Sequence, residues 1–208
     1  MKSLEELGET YNFILIDSSA IIGCLDERTP LENSGKIFRT KKEIKFCNCL
    51  KDFVSNGGNL CITIDVEREI SVPFEIFSEE VDLLNNKLSR KIRKRDRKRK
   101  GLITLLKGHN GVLDVNSKGS GIYAYLDNRF SNLQFRYELA DTDYKLIISG
   151  ARLVNLGNSV VILSNDSGMR HAWKDLVKRE HMFFDRFGFF YRQKFNCFSV
   201  AYSELRNK

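Results

Sequence analysis

Four carboxylates are placed where they could do chemistry together: Asp17, Glu69, Asp143 and Asp166. Asp17 ends the apolar run Tyr11–Ile16 (YNFILI). Asp166 follows the run Val160–Leu163 after Ser164 and Asn165. Runs so short and so apolar fit strands buried on both faces of a parallel sheet. Asp143, with Asp141 close by, opens a stretch with apolar residues at helical spacing: Leu146, Ile147, Gly150, Leu153 and Val154. It closes near Gly157, a natural C-cap. A helix that runs back past its strand begins close to where the next strand ends, so Asp143 and Asp166 meet at one sheet edge. That carboxyl edge is where open α/β sheets place their sites. Asp17, Asp143 and Asp166 also each lie at a helix start, where a lone carboxylate serves as a cap. Capping does not account for their convergence, because close like charges raise one another's pKa unless a cation sits among them. Nothing basic in the adjacent sequence fills that role. An all-oxygen set suits a hard divalent ion such as Mg²⁺ or Mn²⁺. Such an ion polarises a phosphoryl oxygen and lowers the pKa of an attacking water. No Cys/His or Ser/His/Asp arrangement offers a rival nucleophile.

The elements that must position these acids follow a strand–helix–strand order, the signature of a parallel sheet. After the first strand, 26–35 reads as loop and Lys36–Ser55 as helix, closed by Asn56-Gly57-Gly58. Leu60–Ile64 reads as a second buried strand. In the helix that follows, Asp65, Val66 and Glu69 share a face while Glu67 points elsewhere. Pro73 stops or bends this helix. The spacing of Ile76, Phe77, Val81, Leu84, Leu88 and Ile92 predicts a long helix over Ile76–Lys100, its far end projecting into solvent as the apolar stripe thins. Gly101–Leu113 reads as a second small helix or loop, and Gly119–Arg136 as helical. The G-x-G-x-x-A of Gly119–Ala124 lacks a firm strand before it and an acid about 20 residues on, so it reads as a turn. The aromatic tail Phe183–Tyr202 reads as late strands sealing a sheet edge. The whole is one α/β domain over 1–208, with a helical basic insertion at about 76–136 and C-terminal strands at about 183–203.

Composition narrows the function classes. The chain has 208 residues, 42% hydrophobic and 29% charged, as in a soluble globular protein. No apolar run approaches the roughly 18 residues of a membrane span, and the charged start MKSLEELGET lacks a secretory h-region. Five cysteines without CxxC or His-x₃₋₅-His spacing read as reduced thiols of a cytoplasmic protein, with no zinc site. The net charge of +7 is concentrated: Lys87–Lys100 (KLSRKIRKRDRKRK) carries +9 and leaves the rest at −2. Few acids are interleaved to pair with it, so the segment reads as the footprint of a polyanion, most often nucleic acid.

Taken in order, the motifs FILIDSSAII around Asp17, TIDVEREI around Glu69, LADTDYKLIISGA around Asp143 and VVILSND around Asp166 resemble those of the PIN-domain nucleases. The resemblance implies a Rossmann-like three-layer α/β/α fold with a central parallel sheet. It also implies Mg²⁺- or Mn²⁺-dependent endonucleolytic hydrolysis of RNA phosphodiester bonds. The family's catalytic, metal-holding acids fall on Asp17, Glu69, Asp143 and Asp166. Asp141 would be a secondary ligand, and Ser18 matches the small hydroxyl residue after the first acid. Asp65 or Glu67 takes the place of Glu69 after a small register shift. Arg90, Lys91, Arg93, Lys94, Arg95, Arg97, Lys98, Arg99 and Lys100 would grip phosphates. The long stretch between Glu69 and Asp143 and the extended tail depart from the compact toxin members and favour RNA processing or turnover. Two other readings stand beside this one: a non-catalytic PIN-like RNA-binding scaffold in a ribonucleoprotein, and a toxin silenced by a protein inhibitor. A homodimer is left open.

Overall fold

The computed structural model describes residues 3–22, 33–71, 86–114, 125, 127, 128, 130–178 and 194–198. Residues 26–32 of the expected loop 26–35, Pro73, the first turns of the long helix (76–85), the Gly119–Ala124 turn and most of the aromatic tail lie outside them, while residues 33–35 are not loop but the start of a helix that opens at Asn33. In chain order the elements are α1 (Leu4–Thr10), β1 (Phe13–Ile16), α2 (Ser18–Ile22), α3 (Asn33–Ser55), β2 (Leu60–Thr63) and α4 (Ile64–Ser71). Then come α5 (Asn86–Gly108), β3 (Val112–Leu113), α6 (Asn132–Arg136), α7 (Asp141–Asn155), β4 (Val160–Leu163), α8 (Ser167–Lys178) and β5 (Phe195–Phe198).

The five strands form one sheet in the order β3-β2-β1-β4-β5, and every neighbouring pair is parallel. Each parallel step needs a crossover helix, and crossovers are right-handed. The chain steps from β1 to β2 to β3 in one direction through α3 and α5. It then returns to β4 and β5 in the other direction through α7 and α8. The two pairs therefore cover opposite faces of the sheet. Their packing agrees: α3 lies on α5 and both touch β2, whereas α7 lies on α8 and both touch β5. This is a three-layer, Rossmann-like α/β/α fold. Because both faces are covered, β2 and β4 are buried at every position and β1 at all but its first.

The order reverses between β1 and β4, which are paired with Ile16 opposite Leu163. The crevice outside the carboxyl ends of these two strands is the switch point of the fold. Asp17 and Ser164 emerge there side by side: the Asp17 amide still donates to the Leu163 carbonyl (3.0 Å), and the Ser164 amide to that of Phe198 (3.0 Å). At the other edge, α7 closes with Gly157 at φ +90°. The Asn158 amide reaches back to the Leu153 carbonyl (3.2 Å) and the Gly157 amide to that of Val154 (2.9 Å). A left-handed residue closing two such bonds is the reason glycine stands there.

The basic segment differs from expectation. It belongs to one continuous helix, α5, that passes through Gly101 to Gly108 and leads into the short strand β3. It is a crossover of the sheet, docked by Leu102, Ile103 and Leu106, all buried. Its far end does not project into solvent. Arg95 and Arg99 lie on the same stripe as Leu102 and Leu106, at i, i+4, i+7 and i+11, and are only 4% and 3% exposed. Arg90, Arg93, Lys94, Arg97 and Lys100 are exposed and Lys98 half-buried, while Lys91 is described in its backbone alone. A 23-residue helix is about 34 Å long, against about 13 Å for a four-residue strand. At that length α5 exceeds the strands it crosses, and it packs against α3, itself 23 residues long. The tail supplies β5, whose Phe195 and Cys197 are buried, so it extends the sheet beyond β4.

Candidate active site

Asp17 is the centre of the switch-point crevice. It is fully buried, and its Oδ2 accepts hydrogen bonds from Ser164 Oγ (2.7 Å) and from Ser19 Oγ. Ser18 Oγ stands farther off, 3.5 Å from Oδ1. The two bonded hydroxyls also bind the second acidic loop: the Asn165 amide donates to Ser19 Oγ (3.2 Å), and the Asp166 amide to Ser164 Oγ (3.0 Å). The tips of β1 and β4 are thereby joined through side chains. Burial pushes the Asp17 carboxyl up, the bonds from Ser19 and Ser164 hold it back, and the charge of Glu69 pushes it up again.

Asp143 separates the capping reading from the functional one. Asp166 does cap its helix, accepting from the Met169 amide at 2.8 Å, worth about 1 kcal/mol. Helix α7 has Ala140 at its N-cap and no side-chain capping bond there, and Asp143 stands in its first turn. Asp143 is drawn up to about 8, first by burial and then by the charges of Asp17, Asp166 and Glu69. Its carboxyl also shares a hydrogen bond with Asp17. All four predicted acids therefore act on one point, and a proton between Asp143 and Asp17 partly neutralises them.

The neighbouring acids are distinguished by their partners. Glu67 binds Lys107 of α5 (2.6 Å). Asp65 faces Lys145 of α7 (3.4 Å) and Arg68 (3.9 Å). Glu69 is thus the acid of α4 whose charge reaches Asp17 and Asp143. Asp141 is exposed and pairs with Lys145 at i, i+4 (2.6 Å), and it is not among the groups acting on Asp143. Lys145 bridges Asp65 and Asp141, tying α4 to α7 and holding Glu69 towards Asp143.

The donor chemistry suits a hard cation: four carboxylates, with serine hydroxyls behind Asp17. Among the described residues no group of three or more His, Cys, Asp or Glu stands in a ligating arrangement; the acids gather by charge without closing into a ready cage. Burial pushes the thiol of Cys61 up to about 11 and that of Cys197 up to about 12. A thiol so raised is protonated and unreactive at neutral pH. Ser19, Ser164 and Arg170, whose guanidinium donates to the Ser164 carbonyl (3.3 Å), were not singled out from the sequence. The signal for the serines was the matching placement of Asp-Ser-Ser after β1 and Ser-Asn-Asp after β4. No helix among the described residues is long and apolar enough to cross a membrane. No protein-family model, no curated protein and no solved structure matches this chain.

Proposed function

We propose that this chain hydrolyses RNA phosphodiester bonds endonucleolytically, using Mg²⁺ or Mn²⁺ held by Asp17, Glu69, Asp143 and Asp166. One observation carries the reading: Asp17 and Asp166 emerge from the tips of paired strands, tied together through Ser19 and Ser164, and the charges of both, with that of Glu69, converge on Asp143. Such crowding costs stability in the bare protein, and a doubly charged cation relieves it. When bound, the cation supplies charge stabilisation for phosphoryl oxygens and acidifies an attacking water.

The chain's own groups do the rest. Ser19 and Ser164 occupy Asp17 Oδ2 and so fix its orientation. Asp143 gives up its proton before all four acids can act as ligands, which ties cation affinity to pH. Lys145 orients α4 against α7. The exposed cations Arg90, Arg93, Lys94, Arg97 and Lys100 of α5 contribute phosphate contacts and salt-dependent affinity. Arg95 and Arg99 hold the helix in place instead. RNA processing or turnover is the role we favour.

The test is cleavage of a mixed structured and single-stranded RNA pool with Mn²⁺, with Mg²⁺ and with EDTA. Wild type runs beside Asp17→Asn and Asp166→Asn. Asn preserves the capping ability of position 166, so the second variant isolates charge. Cutting that needs the cation and is lost in both variants is expected. Cutting that survives both, or persists in EDTA, refutes the assignment.

A further inference from the structure

An exposed aromatic ring beside the acids is unexplained by packing or by catalysis. Two large hydrophobic residues are exposed among the described residues, Phe135 at 84% and Leu156 at 58%. Leu156 caps the far end of α7, away from the carboxyl edge. Phe135 lies on α6, just ahead of the turn that leads into Asp141 and Asp143.

That turn is anchored from several sides. Leu133 and Leu139 are buried on either flank of Phe135. The Tyr137 amide donates to the Leu133 carbonyl (3.1 Å) and the Leu139 amide to that of Gln134 (3.0 Å). Glu138 takes a left-handed φ of +50° to make the bend. Arg136 binds Asp175 of α8 (3.1 Å), and its guanidinium lies 5.6 Å from the Tyr137 ring centre. The turn also touches the site. A Cβ on Gly168 would lie 3.0 Å from Asp166 Oδ1 and 3.0 Å from the Tyr137 carbonyl oxygen. Those two oxygens are therefore about 6 Å apart or less, and Phe135 is two residues away, at most about 7 Å of chain. The backbone that carries the ring is held near Asp166 by a turn that contacts α7 and is tied to α8.

We propose that Phe135 is a base-stacking platform that takes an unpaired nucleobase beside the site. A solvent-facing ring on an anchored turn offers its face to any nucleobase. A base paired within a duplex has no free face to offer. A ring this close to Asp166 meets a base within a few nucleotides of the scissile phosphate. The inference rests on the nuclease reading of the acidic site, but stacking is read by binding and not by cleavage.

The experiment measures binding of a fluorescein-labelled single-stranded RNA octamer to the full chain carrying Asp17→Asn, so that no substrate is consumed. The same octamer annealed to its complement is the control. Phe135→Ala should weaken single-strand binding by about 5- to 150-fold, the loss of one base–aromatic stack. Duplex binding should be unchanged. Phe135→Trp should restore binding, with its indole emission quenched on adding the octamer. Equal loss of single strand and duplex, or no loss of either, overturns the proposal. So does a Phe135→Ala chain of altered mass on sizing with single-strand affinity intact, which would make the ring a contact between copies. If the wild type binds through Phe135 but never cleaves, the platform stands and the catalytic reading falls.

Discussion

Replacing Asp143 by Asn should make the cation-free protein more stable at neutral and alkaline pH. The folded chain holds the Asp143 proton up to about 8, whereas the ordinary value is 3.8. A carboxyl raised in this way binds a proton in the folded state that the unfolded chain has already released. Stability therefore falls as pH rises through the window from 3.8 to about 8. Each pH unit is worth about 1.36 kcal/mol, so the ceiling at pH 7 is about 4 kcal/mol. Asp143 is only half-buried and shares its proton with Asp17, so screening and coupling reduce this to about 2 kcal/mol. For a chain of this size that is about 4–8 °C in Tm. Asn has the same shape, carries no charge, and its amide can donate to Asp17 where the proton did. The assay is a pair of thermal melts in EDTA at about pH 5 and about pH 8.5, on either side of the folded-state value, for wild type and Asp143→Asn. The wild type should lose several degrees more than the variant between the two. Adding Mn²⁺ at the higher pH should restore the wild type and leave the variant nearly unmoved. Identical pH dependence in the two proteins would refute the reasoning, because the four acids would then not be coupled.

Other consequences follow from single interactions. Ser164→Ala removes a 2.7 Å donor from Asp17; the Asp17 carboxyl should titrate still higher and the pH–rate profile should move to higher pH, with stability reduced by about 1–3 kcal/mol. Gly150→Ala should cost about 1–3 kcal/mol in a denaturant titration, since its methyl would stand 2.7 Å from the Phe195 ring and force β5 outward. Neutralising Arg90, Arg93, Lys94, Arg97 and Lys100 should lower the salt slope of RNA binding by roughly 0.7 for each phosphate no longer neutralised and leave the melt unchanged. Replacing Arg95 and Arg99 should do the reverse, because these two are buried.

The parts legible in the sequence were those fixed by local pattern. Strands β1, β2 and β4 are short apolar runs bounded by turn residues, and Gly157 marks a helix end wherever it falls. The strand–helix–strand order then fixes the sheet edge, and with it the meeting of Asp17, Asp143 and Asp166. Pairing between distant residues was not legible. The ion pairs of Glu67 with Lys107 and of Asp65 with Lys145 join residues remote in sequence, so no local pattern marks them off from Glu69. Asp141 was expected beside the site, but Lys145 one turn later pairs with it. The course of α5 was hidden by Arg95 and Arg99, which occupy core positions of its stripe. Polarity alone assigns them to solvent, which ends the apolar stripe where the buried face in fact continues. The two-residue strand β3 is too short to carry a pattern of its own.

The central claim is that four carboxylates form a single divalent-cation site, and titration with Mn²⁺ tests it most directly. Binding should be followed by the loss of the free-ion paramagnetic resonance signal, in wild type and in Asp17→Asn, Glu69→Gln, Asp143→Asn and Asp166→Asn. The account predicts saturable binding in the wild type, tighter as pH rises through about 8, and weakened by each of the four substitutions but not by Asp141→Asn. Binding that is unaffected by all four, or lost only with Asp141→Asn, would contradict it.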